Sequence, residues 1–369
     1  MKRLRPYYFE KAKTVSDSET LTVDIDGSAP LSAIEILYQA TNGATSNQGV
    51  HIHDDLDTIE LSDGGDTIFN LSGIECQALN FFENKTLPPR TLTEAGGAVQ
   101  KERFLIQFGR YLGDEEFHLT PDNFGNLQLK LAHSLTISAT AGFATGTGKV
   151  TVVGWTFDDP PSGNRGFFMS KKIKSWTSAA SGDEEVDLPR DYPLRHVLLR
   201  AFESGTAMDT TISNVKLTAD NDKYVPINHS LTYLLAQAER MFGWAAVKKR
   251  LFRTDGDSVK TMLAETREAQ VNAVKDLDIA SYDALSVDSL TLQLLSLTAT
   301  PSIAKSSTDT NIDMVVRGIA PYHTCPVLLQ DFNDPNAWFD ASQWSGVKLK
   351  LTQGNAGATC GVIVQQPRF

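Results

Sequence analysis

Residues 50–57 read VHIHDDLD. His51 and His53 stand two apart, and Asp54, Asp55 and Asp57 follow directly. Imidazole nitrogens and carboxylate oxygens are the donors that hold zinc, and two histidines at this spacing on an extended segment point to one side. With an open coordination position, such a set would activate water for hydrolysis. The rest of the chain gives the motif little support. His118, His133, His196, His229 and His323 sit in no HxxxH or HxxE setting, and no second carboxylate cluster completes a shell. The preceding TNGATSNQG (41–49) is polar and aperiodic. The expectation is a solvated loop, whose His51, His53, Asp54, Asp55 and Asp57 form a structural or interfacial cation site at most.

Other candidates carry less. GTGKVT (146–151) lacks the GxxxxGK[ST] spacing of a phosphate loop and leads into a strand, so it reads as a hairpin turn. DIDGS (24–28) and TDGDS (254–258) lack the later ligands and bidentate glutamate of a calcium loop. There is no GxSxG. Asp114, Glu115 and Glu116 could serve as paired carboxylates in glycoside hydrolysis, but they lie in a turn that recurs later, which favours a structural loop. Trp155, Trp176, Trp244, Trp338 and Trp344 could form a sugar-binding platform, though Trp344 is expected in the core. GWAAVKKRLFR (243–253) mixes Lys248, Lys249, Arg250 and Arg253 with apolar residues, as a neighbour-facing or a solvated basic face would. Cys76, Cys325 and Cys360 are far apart with no CxxC pair, so no disulfide framework or zinc-thiolate site is expected, and Cys76 and Cys360, in apolar patterns, read as buried inert thiols. No cofactor is implied.

The elements that must position these residues are mostly strands. LTVDID (21–26), LQLKL (127–131), KVTVVGWTF (149–157), RHVLLRAF (195–202), SLTLQLLSL (289–297), VKLKL (347–351) and CGVIVQQ (360–366) alternate apolar with polar residues or read as short apolar runs. Turn clusters such as DGG, TPDNFGN and NDPN separate them. Two helices stand out. In LSGIECQALNFFEN (71–84), Ser72 and Glu75 form a capping box. In SLTYLLAQAERMFGW (230–244), Leu231, Leu234, Leu235, Ala238 and Met241 share a face. A weaker amphipathic helical stretch covers about 258–276. The Pro/Gly-rich FDDPPSGNRG (157–166) divides the chain into two strand-rich halves.

The halves resemble each other. DEEFHLTPDNFGNLQLKL (114–131) aligns without a gap to DPNAWFDASQWSGVKLKL (334–351), matching Leu119 to Phe339, Phe124 to Trp344 and LKL to LKL. This indicates one supersecondary unit used twice. The expected fold is all-β, two consecutive eight-stranded jelly-roll sandwiches with a few short helices in loops. The division is an amino-terminal arm (1–18), a first roll (19–157), a linker (158–166) and a second roll (167–369) with a long insertion at about 245–288.

At 369 residues, 41% hydrophobic, the chain can bury two cores. No apolar run reaches the length of a membrane helix, and the basic start lacks the apolar stretch of a secretory signal. A net charge of −11 argues against a surface wrapped broadly in nucleic acid. Lys2, Arg3 and Arg5 at the start are the local exception.

Several stretches in order then carry a family resemblance: NLSGIECQALNFFE (70–83), FLIQFGRYLGDEEFHLTPDNFGNLQLKL (104–131), IKSWTSAASGDEEVDLPRDYPLRHVLLRAFESG (173–205), ISNVKLTADNDKYVPIN (212–228) and DPNAWFDASQWSGVKLKLTQGNAGATCGVIVQQPR (334–368). The chain resembles the double jelly-roll major capsid proteins of tailless icosahedral viruses, the lineage of tectivirus-like and corticovirus-like phages and the adenovirus hexon. It departs in segments 42–57 and 245–288. The resemblance implies a structural protein rather than an enzyme. It implies a homotrimer forming a pseudo-hexameric capsomer, contacts with neighbouring capsomers and with minor capsid or penton proteins, and a place in the virion shell after synthesis in the host cytoplasm. Lys2, Arg3 and Arg5 would then face an internal membrane or the genome, and His51 and His53 would sit in a tower or between subunits. The alternatives are a β-sandwich metal-dependent hydrolase using the HIHDD segment and a virion glycan- or receptor-binding protein.

Overall fold

The computed structural model describes residues 3–252, 258–274, 282–286, 291–296, 311–328 and 331–369. Lys2, Arg253 and most of TDGDS lie outside these residues.

The first half holds strands β1 (Leu4–Thr14), β2 (Ser18–Asp24), β3 (Leu31–Asn47), β4 (Leu56–Asp63), β5 (Asp66–Leu71), β6 (Leu92–Thr93), β7 (Val99–Gln107), β8 (Leu127–Ser134), β9 (Ala141–Phe143) and β10 (Lys149–Phe157). Helices α1 (Ile52–Asp55) and α2 (Gly73–Asn84) interrupt them. One sheet is ordered β1-β10-β3-β7, with β9 on β3; the other is β2-β8-β4-β5. The two sheets face each other across one core: Ile34 and Ile36 of β3 share it with Leu129 and Leu131 of β8. That is a jelly roll.

The second half repeats the plan with β11 (Phe167–Thr177), β12 (Asp183–Asp187), β13 (His196–Phe202), α3 (Met208–Thr211), β14 (Ile212–Ala219), β15 (Tyr224–Ser230) and α4 (Leu231–Phe242). An insertion follows, carrying β16 (Ala245–Leu251), β17 (Ser258–Lys260), β18 (Leu263–Val274), β19 (Tyr282–Ser286), β20 (Thr291–Ser296) and β21 (Asn311–Pro321). The roll resumes with β22 (Thr324–Pro326), β23 (Val347–Gln353) and β24 (Thr359–Arg368). Its sheets are ordered β11-β24-β13-β22 and β12-β23-β14-β15, the order of the first roll. The aligned turns coincide as well. A one-turn 3-10 helix stands at Pro121–Asn123 and at Ala341–Gln343, and Leu119 and Phe339 make matching bridges to Leu31 and Leu194.

The rolls are joined, not merely linked. β5 pairs in parallel with β11, Ser170 opposite Phe69 and Lys171 opposite Asn70. The two rolls thereby share one eight-stranded sheet, β2-β8-β4-β5-β11-β24-β13-β22. The insertion returns to the first roll: β18-β21-β16-β6 is one sheet, with β16 parallel to β6, while β17-β20-β19 forms another.

Both clear helices form as their sequences predict. The Ser72 hydroxyl accepts from the Glu75 amide, and the Glu75 carboxylate accepts from the Ser72 amide. Ser230 caps α4, which buries Leu231, Leu234, Leu235, Ala238 and Phe242.

Three expectations fail. Within the helical stretch expected at 258–276, Ser258–Lys260 and Leu263–Val274 are strands: β18 pairs with β21 from Leu263↔Pro321 to Val274↔Asn311, and cross-strand pairing overrides the helix-forming ETREAQ, while 275 and 276 lie outside the described residues. Residues 4–14, read as an arm, are the first strand of the first roll, paired with β10 from Leu4↔Phe157 to Thr14↔Lys149. This strand is at the sheet edge and mostly exposed, so it lacks the apolar alternation that reveals β8 or β23. Trp344 is half-buried, not a core residue; its ring stacks on Tyr224 at 5.0 Å between centroids.

Candidate functional site: a buried polar seam between the rolls

The HIHDD segment is not a solvated loop. Residues 52–55 make one helical turn, and His51 and His53 are 0% and 1% exposed. The partners that bury them come from distant strands. Gln100 and Glu102 lie on β7 among residues of one parity, with Phe104 and Ile106, so the period-two pattern turns them into the core. Lys249 lies on β16 between inward Val247 and Leu251 and turns inward by the same rule.

The Gln100 side-chain amide donates to Asn42 Oδ1 at 3.0 Å and to the Val50 carbonyl at 3.1 Å. That aims its carbonyl oxygen at His51 Nδ1, 3.1 Å away, which therefore donates. His51 Nε2 is then the acceptor for the Lys249 ammonium at 3.0 Å, and the same ammonium meets the Glu94 carboxylate at 2.9 Å. This fixes His51 as a neutral imidazole. Burial first, then the charge of Lys249, hold its pKa well below the usual histidine value. His53 stacks on His51 at 5.2 Å and donates from Nδ1 to Glu102 at 2.7 Å.

The three aspartates point elsewhere. Asp54 takes the Lys260 ammonium at 2.6 Å; burial pushes its pKa up, but His53 and Lys260 outweigh burial and leave it lowered. Asp55 accepts from the Thr136 amide and hydroxyl at 2.8 and 2.9 Å, and burial holds its pKa above the usual carboxylate value. Asp57 is exposed. The five expected ligands are thus drawn to different partners, and among the described residues no group of three or more His, Cys, Asp or Glu could hold a metal ion. What the motif does is tie the first roll to the insertion of the second.

A second buried cluster ties α2 to the second roll. Glu83 lies 3.8 Å from Arg195, and Gln365 bridges them, donating to Glu83 at 2.7 Å and accepting from the Arg195 guanidinium. Arg195 also donates to the Phe332 carbonyl at 2.9 Å and lies 4.5 Å over the Phe168 ring. Burial pushes the Glu83 pKa up to about 7 despite Arg195. Nothing local in the sequence marks this cluster, because its members come from α2, the approach to β13, and β24.

Other candidates sit in local contacts. Asp114 is buried and accepts from Arg110 Nε at 2.7 Å, which makes it a loop anchor. Cys76, Cys325 and Cys360 are free and buried; burial raises all three thiols, Cys360 to about 11. Arg3 and Arg5 each lie 3.4 Å from Asp158, at the start of the linker.

No protein-family model matches the chain, and no curated protein matches it. Solved structures do. The chain aligns over 98% of its length with 96% of the STIV MCP, from Sulfolobus Turreted Icosahedral Virus, at 9% identity and a TM-score of 0.57. It aligns over 100% of its length with 98% of a major capsid protein from bacteriophage PM2, at 9% identity and a TM-score of 0.51. It aligns over 99% of its length with 94% of a chain of the PBCV-1 virus capsid, at 9% identity and a TM-score of 0.51. The chain has the double jelly-roll fold that these capsid structures share.

Proposed function

We propose that this chain is the major coat subunit of an icosahedral virus, acting in the virion shell. One observation carries the reading: the chain aligns over 98–100% of its length with major capsid proteins that are themselves covered to 96–98%. Physics makes the role sensible. Two similar lobes per chain let three copies fill a six-sided position. Fusing the rolls through β5 and β11 also makes the pair one rigid tile, because strand pairing and a common core resist hinging.

The subunit works by contact rather than catalysis. The two histidines that suggested a metal hydrolase are buried, and Asp54 and Asp55 turn to Lys260 and Thr136 instead of joining them around an ion. Self-association into trimers and then capsomers, contacts with minor shell proteins, and an inward role for the basic residues Lys2, Arg3 and Arg5 belong to the same proposal. Electron microscopy of purified particles tests it, with the chain expected as the dominant shell band. Sedimentation of the isolated protein should give a species near three times 40.4 kDa. A strictly monomeric chain absent from particles overturns the reading.

A further inference from the structure

The run Lys248-Lys249-Arg250 is divided by strand alternation. Lys249 turns into the core, while Lys248 and Arg250 turn outward. Outside, with Arg90, Thr91, Thr93 and Asp313, they line a cleft of about 430 Å³ between β6, β7 and β16. Small-ligand sites begin at about 300 Å³.

The charges in this cleft do not balance. Arg250 holds Asp313 through two bonds, Nε to Oδ1 at 2.9 Å and Nη2 to Oδ2 at 3.4 Å, so that carboxylate is engaged. Lys248 makes no ion pair among the described residues, and its charge is felt by the same Asp313 that Arg250 holds. Lys101 is exposed on the same side of β7 as the cleft residue Val99. Arg90 donates from one terminal nitrogen to the Tyr322 hydroxyl, while its other terminal nitrogen, Nη2, is buried without a hydrogen-bond partner. In a chain of net charge −11, the described lining of this cleft sets Arg90, Lys248 and Arg250 against Asp313 alone.

Arg90 makes no ion pair among the described residues, so its charge at the cleft has no carboxylate against it. The planar guanidinium fork and a point ammonium together suit a tetrahedral oxyanion. The charge of Arg90 plus Lys248 matches a phosphate monoester, which carries about −1.5 to −2 at pH 7. We propose that this cleft binds a phosphate group, presented either as the free anion or on a nucleoside monophosphate. Arg90, held in place by Tyr322, supplies a fixed charge at the cleft wall; Lys248 supplies a mobile one.

Isothermal titration of the intact chain with inorganic phosphate and, separately, with thymidine monophosphate tests this. Saturable binding of either is expected, weakened about tenfold in Lys248→Gln, as loss of one charge-assisted bond implies. Tighter binding of the nucleotide assigns the phosphate to a nucleoside source, and equal binding assigns it to the free anion. Arg90 also anchors Tyr322, so Arg90→Lys serves as the second variant: it keeps the charge, loses the fork, and should also weaken binding. The proposal is overturned if neither ligand binds saturably below about 10 mM, or if both variants bind as the wild type does.

Discussion

The two rolls are held together by two buried ionic clusters, and these differ in how they respond to the loss of a charge. In the Lys249 cluster, the ammonium sits between Glu94 and a histidine already neutral, with both charged side chains fully buried. In the Arg195 cluster, the carboxyl of Glu83 has a pKa raised to about 7, so it can take up a proton and neutralise itself. The first has no such release built into its histidine: protonating His51 would add a second cation beside Lys249.

The largest effect expected follows from that contrast. Lys249→Met leaves Glu94 buried without its ammonium and should cost about 3–5 kcal/mol in urea unfolding of the isolated chain. Arg195→Met removes an equally buried cation, yet Glu83 can protonate, so about 1–3 kcal/mol is expected. Equal losses would end the distinction between the clusters.

Next come the pH dependences, which should run in opposite directions. The folded pKa of Glu83 is raised from 4.5 to about 7. Its contribution is full below pH 4.5 and is lost as pH rises through about 7, and Glu83→Gln should remove that fall. The folded pKa of His51 is depressed, so its contribution is present above its ordinary value of 6.5 and is lost as pH drops below it. The His51→Gln curve should therefore be flatter on the acid side, although the buried His196 and His323, whose pKa values are also lowered by burial, will keep some slope. Parallel curves for the wild type and both variants would contradict the assigned protonation states. The smallest effect belongs to the exposed member of the original motif: Asp57→Asn should change stability by less than about 0.5 kcal/mol.

Much of the fold was legible along the chain. The inward residues of β8 and β23 alternate, Ser72 and Glu75 announce α2, and the aligned turns at 114–131 and 334–351 disclose the duplication. β1 was hidden because an exposed edge strand needs no apolar face. β18 was hidden because its pairing partner, β21, lies about forty residues on, and pairing is not a local property. The seam was half legible: the parity of Gln100 and Glu102 with Phe104 and Ile106, and of Lys249 with Val247 and Leu251, could have placed all three inside.

By itself, then, the sequence determined the strand faces, the helix caps, the twofold plan and the presence of His51, His53 and three aspartates in one short run, because period, capping and composition act over a few residues. Only the tertiary structure decided what that run does. Imidazole and carboxylate take their role from whatever neutralises them, and here Gln100, Glu102 and Lys249 arrive from strands far along the chain. They hold His51 through both ring nitrogens and His53 through Nδ1, as hydrogen-bonded members of a core.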